Sequence, residues 1–185
     1  MSIPTFFEPD ALREMPGDEA QLQRVLSELE TTARAMRDNL HGEPSEENVA
    51  HLGRALQKLS EAQRLANRFE EARASKAEAI AIWQKLGRAK AHFLCRMKLA
   101  MIDHQAGEFE RAATALEALE DELDQGFTIY TDFLAEARAR CYHALGRRDA
   151  ATAQIQRALK VRLARGNARH IEVTRNIEAI ITSGG

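Results

Sequence analysis

The sequence predicts an all-α fold of stacked helix pairs. Three observations carry that prediction. Short turn motifs recur, Asn67-Arg68-Phe69-Glu70-Glu71-Ala72, Gly107-Glu108-Phe109-Glu110-Arg111-Ala112 and Gly146-Arg147-Arg148-Asp149-Ala150-Ala151, and their alanines lie 40 and 39 residues apart. A recurring turn at a fixed period marks a helical array. The 185 residues include only 4 prolines and 10 glycines, aromatics are 5%, and strong helix formers dominate. No stretch alternates apolar and polar residues in the manner of a strand.

Residues 1–17 hold three of the four prolines, at 4, 9 and 16, and read as an extended lead-in. Pro9 could open one or two helical turns through Met15. Phe6 and Phe7 suit docking on neighbouring helices as a cap, or insertion into a partner subunit. Asp18 can cap a first long helix over 18–40, where Leu22, Val25, Leu26, Leu29, Met36 and Leu40 share one face. His41-Gly42-Glu43-Pro44 stops it. Residues 18–44 therefore form an added N-terminal helix, a cap or an oligomerisation element.

Ser45 caps the next helix, 45–66, with Leu52, Leu56, Leu59 and Leu65 on its buried side. Helices over 69–86, 89–105, 109–124, 129–145 and 148–165 follow, closed in turn by Gly87, the Gly107 turn, Gly126, the Gly146 turn and Gly166-Asn167. A last helix, 168–182, carries Ile171, Val173, Ile177, Ile180 and Ile181. Residues 45–166 thus hold three helix pairs, and 167–185 a capping helix and tail.

With the turn residues Asn67, Gly107 and Gly146 aligned, small residues fall at Ser60, Ala100 and Ala139 on the first helices and at Ala72, Ala112 and Ala151 on the second. Bulky positions fall on Leu56, Leu59, Leu99, Leu116, Tyr142 and Ile155. Small side chains let neighbouring backbones approach closely. Over residues 53–166 this pattern resembles tetratricopeptide (TPR) repeats. The resemblance implies a TPR-like right-handed α-solenoid of about three helix pairs, with the extra N-terminal helix and the C-terminal capping helix. The period exceeds the usual ~34 residues, as in the longer repeats of kinesin light chains and bacterial signalling regulators. The customary aromatic early in the first helix is replaced by Leu56, Arg96 and Ala135, and Asp103 and Arg138 stand at positions that are normally core.

The resemblance also implies a function: a non-enzymatic adaptor, regulator or scaffold that binds a protein or peptide through the concave surface lined by the first helices. The positions that carry over are Arg54, Lys58 and Arg64, then Leu94, Met97, Lys98, Met101 and His104, then Phe133, Arg140 and His143. Gln57, Glu61, Gln105 and Glu136 lie among them. This floor is mildly basic with a Met-rich centre, and it suits a peptide with acidic and apolar residues. The competing expectation makes Met97 and Met101 ordinary core, covered by the N-terminal helix folding into the groove. By analogy alone, the setting is a bacterial-style cytoplasmic regulatory or secretion assembly.

The net charge of −2 implies neither a nucleic-acid nor a membrane partner. Its distribution is uneven. Residues 1–50 hold 11 acids against 4 Lys/Arg, and residues 138–175 hold 10 Lys/Arg against 2 acids. Arg147, Arg148, Arg157, Lys160, Arg162, Arg165 and Arg169 form a basic cluster. This gives two alternatives: a nucleic-acid-associated regulator using the basic C-terminal third, or a homo-oligomer assembled through the terminal helices. Few aromatics for stacking and no recognisable nucleic-acid motif argue against the former.

No catalytic motif stands out: there is no phosphate-binding glycine loop, no Gly-x-Ser-x-Gly and no His-Glu-x-x-His. His92 and Cys95 have ligand spacing but no second matched pair, so no metal or cofactor is expected. Cys95 and Cys141 read as buried and inert. Without a signal-peptide pattern or an apolar stretch of membrane-spanning length, the expected location is the cytoplasm.

Overall fold

The computed structural model describes residues 4–40 and 44–183, so the stop at His41–Glu43 and the last two glycines lie outside the described residues. The fold is an all-α, TPR-like helical repeat. Its helices are α1 (Glu19–Asp38), α2 (Glu46–Leu65), α3 (Phe69–Lys85), α4 (Ala89–Gln105), α5 (Phe109–Glu120), α6 (Thr131–Ala144), α7 (Arg148–Arg165) and α8 (Ala168–Ser183).

Side-chain caps start three of the helices. Asp18 accepts from the Gln21 amide at 2.8 Å to start α1, and Ser45 accepts from Asn48 at 3.2 Å to start α2. Asn167 does the same for α8, accepting from His170 at 3.1 Å. The inter-helix turns share one device. Asn67 and Gly87, 107, 126, 146 and 166 all have positive φ, and they recur about every 20 residues. At three of these turns a backbone amide reaches back five residues, Arg68 to Gln63, Arg88 to Trp83 and Arg147 to Tyr142, at 2.8–2.9 Å. That bond satisfies carbonyls the helix end leaves open. Asn67 fills a glycine position because its short polar side chain tolerates left-handed backbone.

Two departures from the sequence reading appear. α5 ends at Glu120 rather than 124; a 3₁₀ turn over Leu123–Gln125 buries Leu123, and a second over Thr128–Tyr130 delays α6 to Thr131. The lead-in contains strands where none is expected: β1 (Thr5–Phe7) and β2 (Glu14–Pro16) form a two-stranded sheet. Between them Glu8 accepts from the Ala11 amide at 2.9 Å and folds a turn, in place of the helical turns expected after Pro9. Leu12 is fully buried with φ 52°, a conformation that costs a bulky residue roughly 1–3 kcal/mol.

The chain gathers into two compact units, one of Met1–Phe6 with Glu14–Ala106, the other of Phe7–Arg13 with Gly107–Gly185. The second predicted helix pair is thus divided, α4 in the first unit and α5 in the second. In the first unit α1 packs on α2, α2 on α3 and α3 on α4. Leu22, Leu26, Leu52, Leu56, Leu59 and Trp83 fill its core. Gly53 has a steric reason to be glycine: a Cβ there would lie 2.8 Å from the Trp83 ring and 3.0 Å from Ile82. In the second unit α5, α6, α7 and α8 pack in succession, around Leu116, Leu134, Ile155 and Ile177. All six aligned small residues, Ser60, Ala72, Ala100, Ala112, Ala139 and Ala151, are at most 1% exposed.

The polar residues at core positions are paired. Asp103 accepts from Arg73 Nε at 2.9 Å. Arg138 donates to Glu120 at 2.6 Å and to the Tyr142 hydroxyl at 2.9 Å. Burial of such groups is tolerable because each finds its partner.

Candidate functional site

In the first unit, the face shared by α2 and α4 divides into a closed part and an open part. Arg64, Met97, Met101 and His104 are buried there, so they are not the open floor the sequence reading gives them. The segment held at this face is β2, whereas α1 packs on α2 and reaches α3 through Arg37 and Glu78 at 2.6 Å. Glu14 is the contact. Its carboxylate accepts from Arg64 at 2.6 Å. The Gln105 amide completes the grip, accepting from the Glu14 N–H at 3.1 Å and donating to its carbonyl at 2.8 Å. Burial works against the Arg64 cation, but Glu14 and Glu61 more than offset it and push its pKa further up.

The open part is a cavity of about 200 Å³ lined by Gln57, Lys58, Glu61, Lys76, Leu94, Cys95 and Lys98. Lys58 is exposed, while Leu94 and Lys98 are half-buried. Lys76 is almost wholly buried and donates to Glu61 at 3.2 Å. Desolvation raises the pKa of Glu61, yet Lys98, Arg64 and Lys76 together outweigh it and hold the carboxyl at about 2. The cavity carries three ammonium groups against one carboxylate. Lys76 is the member the sequence reading missed. Its signal is its register on α3, at the same face as Ala72, Ala79 and Trp83, where a lysine is out of place unless paired. Arg54 is exposed on the opposite flank of Lys58, where Leu29, Thr32, Met36 and His51 line a shallow cleft with it.

In the second unit, α6 holds the lead-in residues Phe7–Arg13. Arg140 is buried; its Nε donates to the Leu12 carbonyl at 3.0 Å, and its guanidinium lies over the Phe7 ring at 4.8 Å. His143 Nε2 lies 3.0 Å from the Pro9 carbonyl. Phe133 does not join them: it meets His170 edge-on and carries the Arg162 guanidinium at 5.1 Å. Of the two lead-in phenylalanines, Phe7 docks on a helix as the capping expectation has it, whereas Phe6 is 57% exposed.

The C-terminal cations are not one open basic surface. Arg147 pairs with Glu110 at 2.8 Å and Arg157 with Glu120 at 2.7 Å. Arg162 is buried on Asp132 at 3.0 Å and also bonds Glu136, while Arg165 bonds Asp132. Arg148, Lys160 and Arg169 are exposed. The partner acids all precede residue 138, outside the stretch whose composition looks basic.

Cys95 and Cys141 are buried free thiols. Burial pushes the Cys95 pKa up despite a donated hydrogen bond from Gln57 at 2.7 Å, so it stays protonated and unreactive. Among the described residues no group of three or more His, Cys, Asp or Glu is placed to hold a metal ion. Nor is any described helix long and apolar enough to cross a membrane.

No protein-family model matches the chain, and no curated protein matches it. Solved structures do. A putative kinesin light chain from Podospora anserina with nearly identical TPR-like repeats superposes with a TM-score of 0.62 at 16% identity, over 89% of this chain and 79% of that one. A single-substitution variant of that protein gives 0.63 at 17% identity, over 89% and 78%. At such identity the likeness is one of fold: a TPR-like helical repeat.

Proposed function

We propose that the chain is a non-enzymatic adaptor whose first unit binds an acidic peptide or protein segment at the lysine-lined cavity between α2, α3 and α4. The observation that carries this reading is the placement of Lys58, Lys76 and Lys98 around a single carboxylate, with apolar Leu94 beside them. Glu61 is already engaged by Lys76 and Arg64. An incoming Asp or Glu therefore finds excess positive charge, and an aliphatic neighbour on the same peptide finds Leu94. Charge-assisted hydrogen bonds in a partly desolvated cavity are the strong kind. The buried, unreactive thiols suit a reducing compartment, and the cytoplasm is the proposed location.

The test is a phage-displayed peptide selection against the native protein, with affinities then measured on Lys58→Glu, Lys98→Glu. Acidic consensus peptides should emerge, bind more weakly as salt rises, and lose at least about tenfold in affinity on the double variant, or roughly 1.4 kcal/mol. Peptides that lack acidic residues, or that bind the folded double variant equally well, would remove the cavity from the account.

A further inference from the structure

We propose that the α6 face of the second unit is a recognition site for an extended peptide, and that Phe7–Arg13 is its resident, displaceable occupant. The partner chemistry follows from the contacts. α6 grips the segment through two main-chain carbonyls, Leu12 O from Arg140 and Pro9 O at His143, which any residue can offer. Two side chains anchor it most deeply, an aromatic ring beneath the Arg140 guanidinium and an aliphatic side chain, Leu12, that is wholly excluded from water, while Ala11 is also buried and Arg13 lies over the Phe109 ring at 5.5 Å. The site thus reads an aromatic residue followed five positions later by leucine or a similar aliphatic, in an irregular segment without helix or strand between them. Main-chain recognition plus a few side-chain pockets is how peptide-binding surfaces generally combine affinity with selectivity.

Displacement is favoured by what the resident segment lacks. It is held in no helix, and between Glu8 and Arg13 its own order rests on one backbone bond at 3.0 Å and the Glu8 side-chain turn. Its anchor Leu12 sits at φ 52°, a left-handed conformation bulky side chains avoid. A partner presenting the same two anchors without that strain makes equivalent contacts more cheaply. Tethering gives the resident a high effective concentration, so an outside peptide binds weakly to the native chain and tightly once the resident is loosened. The inference rests on the reading of the chain as an interaction module but not on the lysine cavity.

The experiment uses a fluorescein-labelled, end-capped peptide with the sequence Phe7–Arg13 as probe, titrated by anisotropy into the full-length chain. Phe7→Ala, Leu12→Ala should bind it at least tenfold more tightly than the native chain does. Adding Arg140→Ala should reverse that gain by at least tenfold, and a scrambled peptide should not bind. Lys58→Glu, Lys98→Glu should leave probe affinity unchanged, so the two proposals can fail separately. Leu12→Gly, which accepts positive φ while removing the anchor, replaces the double variant if the latter does not fold. Native-state hydrogen exchange supplies a second readout: excess probe should speed exchange of amides 8–13 and leave those of α7 unchanged. Equal probe affinity for the native chain and the folded, anchor-less variant would overturn the inference, as would indifference to Arg140→Ala.

Discussion

Glu61 shows how one side chain can be held charged by its surroundings. Lys98, Arg64 and Lys76 keep it near pKa 2 against the cost of burial, so its pairing is fully present above the unfolded value of about 4.3 and is lost as pH falls toward 2. Glu61→Gln should therefore destabilise the protein by about 2 kcal/mol near pH 6, allowing for screening at its partly exposed carboxylate, and the difference from native should vanish near pH 2. Urea unfolding along a pH series reads this directly; a constant difference would mean the charge is irrelevant. At this scale the sequence was informative about size and poor about charge. The six small residues announced themselves, because a small side chain at a fixed offset from every turn is what closely approaching backbones require. Lys76 did not, since its partner lies 15 residues away on another helix. Nor did the burial of Arg64 and Arg140, which depends on lead-in residues 50 and 128 positions distant.

Among the elements, the α2–α3 contact is set by one missing side chain. With a Cβ 2.8 Å from the Trp83 ring, Gly53→Ala must push the two helices apart or turn the indole. The expected cost is about 1–3 kcal/mol despite alanine's better helix propensity. Since Trp83 is the only tryptophan, its emission should shift in the same variant, and Trp83→Phe should restore part of the loss. Retained stability in Gly53→Ala would show that the contact is looser than this close approach implies. The α-helices were legible nearly to the residue where a cap or a left-handed turn fixes them. The lead-in was not. Three-residue strands leave no alternation to read, and prolines that suggest an extended chain say nothing of which face it lies on.

For the molecule as a whole, composition windows misled where ion pairs cross them. The acids that neutralise Arg147, Arg157, Arg162 and Arg165 are Glu110, Glu120, Asp132 and Glu136. The acidic first third likewise lends Glu14 and Glu30 to Arg64 and Arg68. The exposed pairs among them, such as Arg147–Glu110, add little stability, but all of them flatten the electrostatic potential that would draw a polyanion. A 20-base-pair duplex should accordingly show no gel shift at protein concentrations on the order of 10 µM in 150 mM salt, where non-specific affinities are ~10⁻⁴–10⁻⁶ M. A shift abolished by Lys160→Glu, Arg169→Glu would restore the nucleic-acid reading.

The regular placement of left-handed turn residues at 67, 87, 107, 126, 146 and 166 bears on how such a gene can change length. Duplicating about forty codons copies a first helix, a second helix and both their turns, so every alanine in the copy meets the kind of neighbour it was selected for. A gain or loss of any other length has to be absorbed in a loop, or it sets a large side chain where two backbones need to touch.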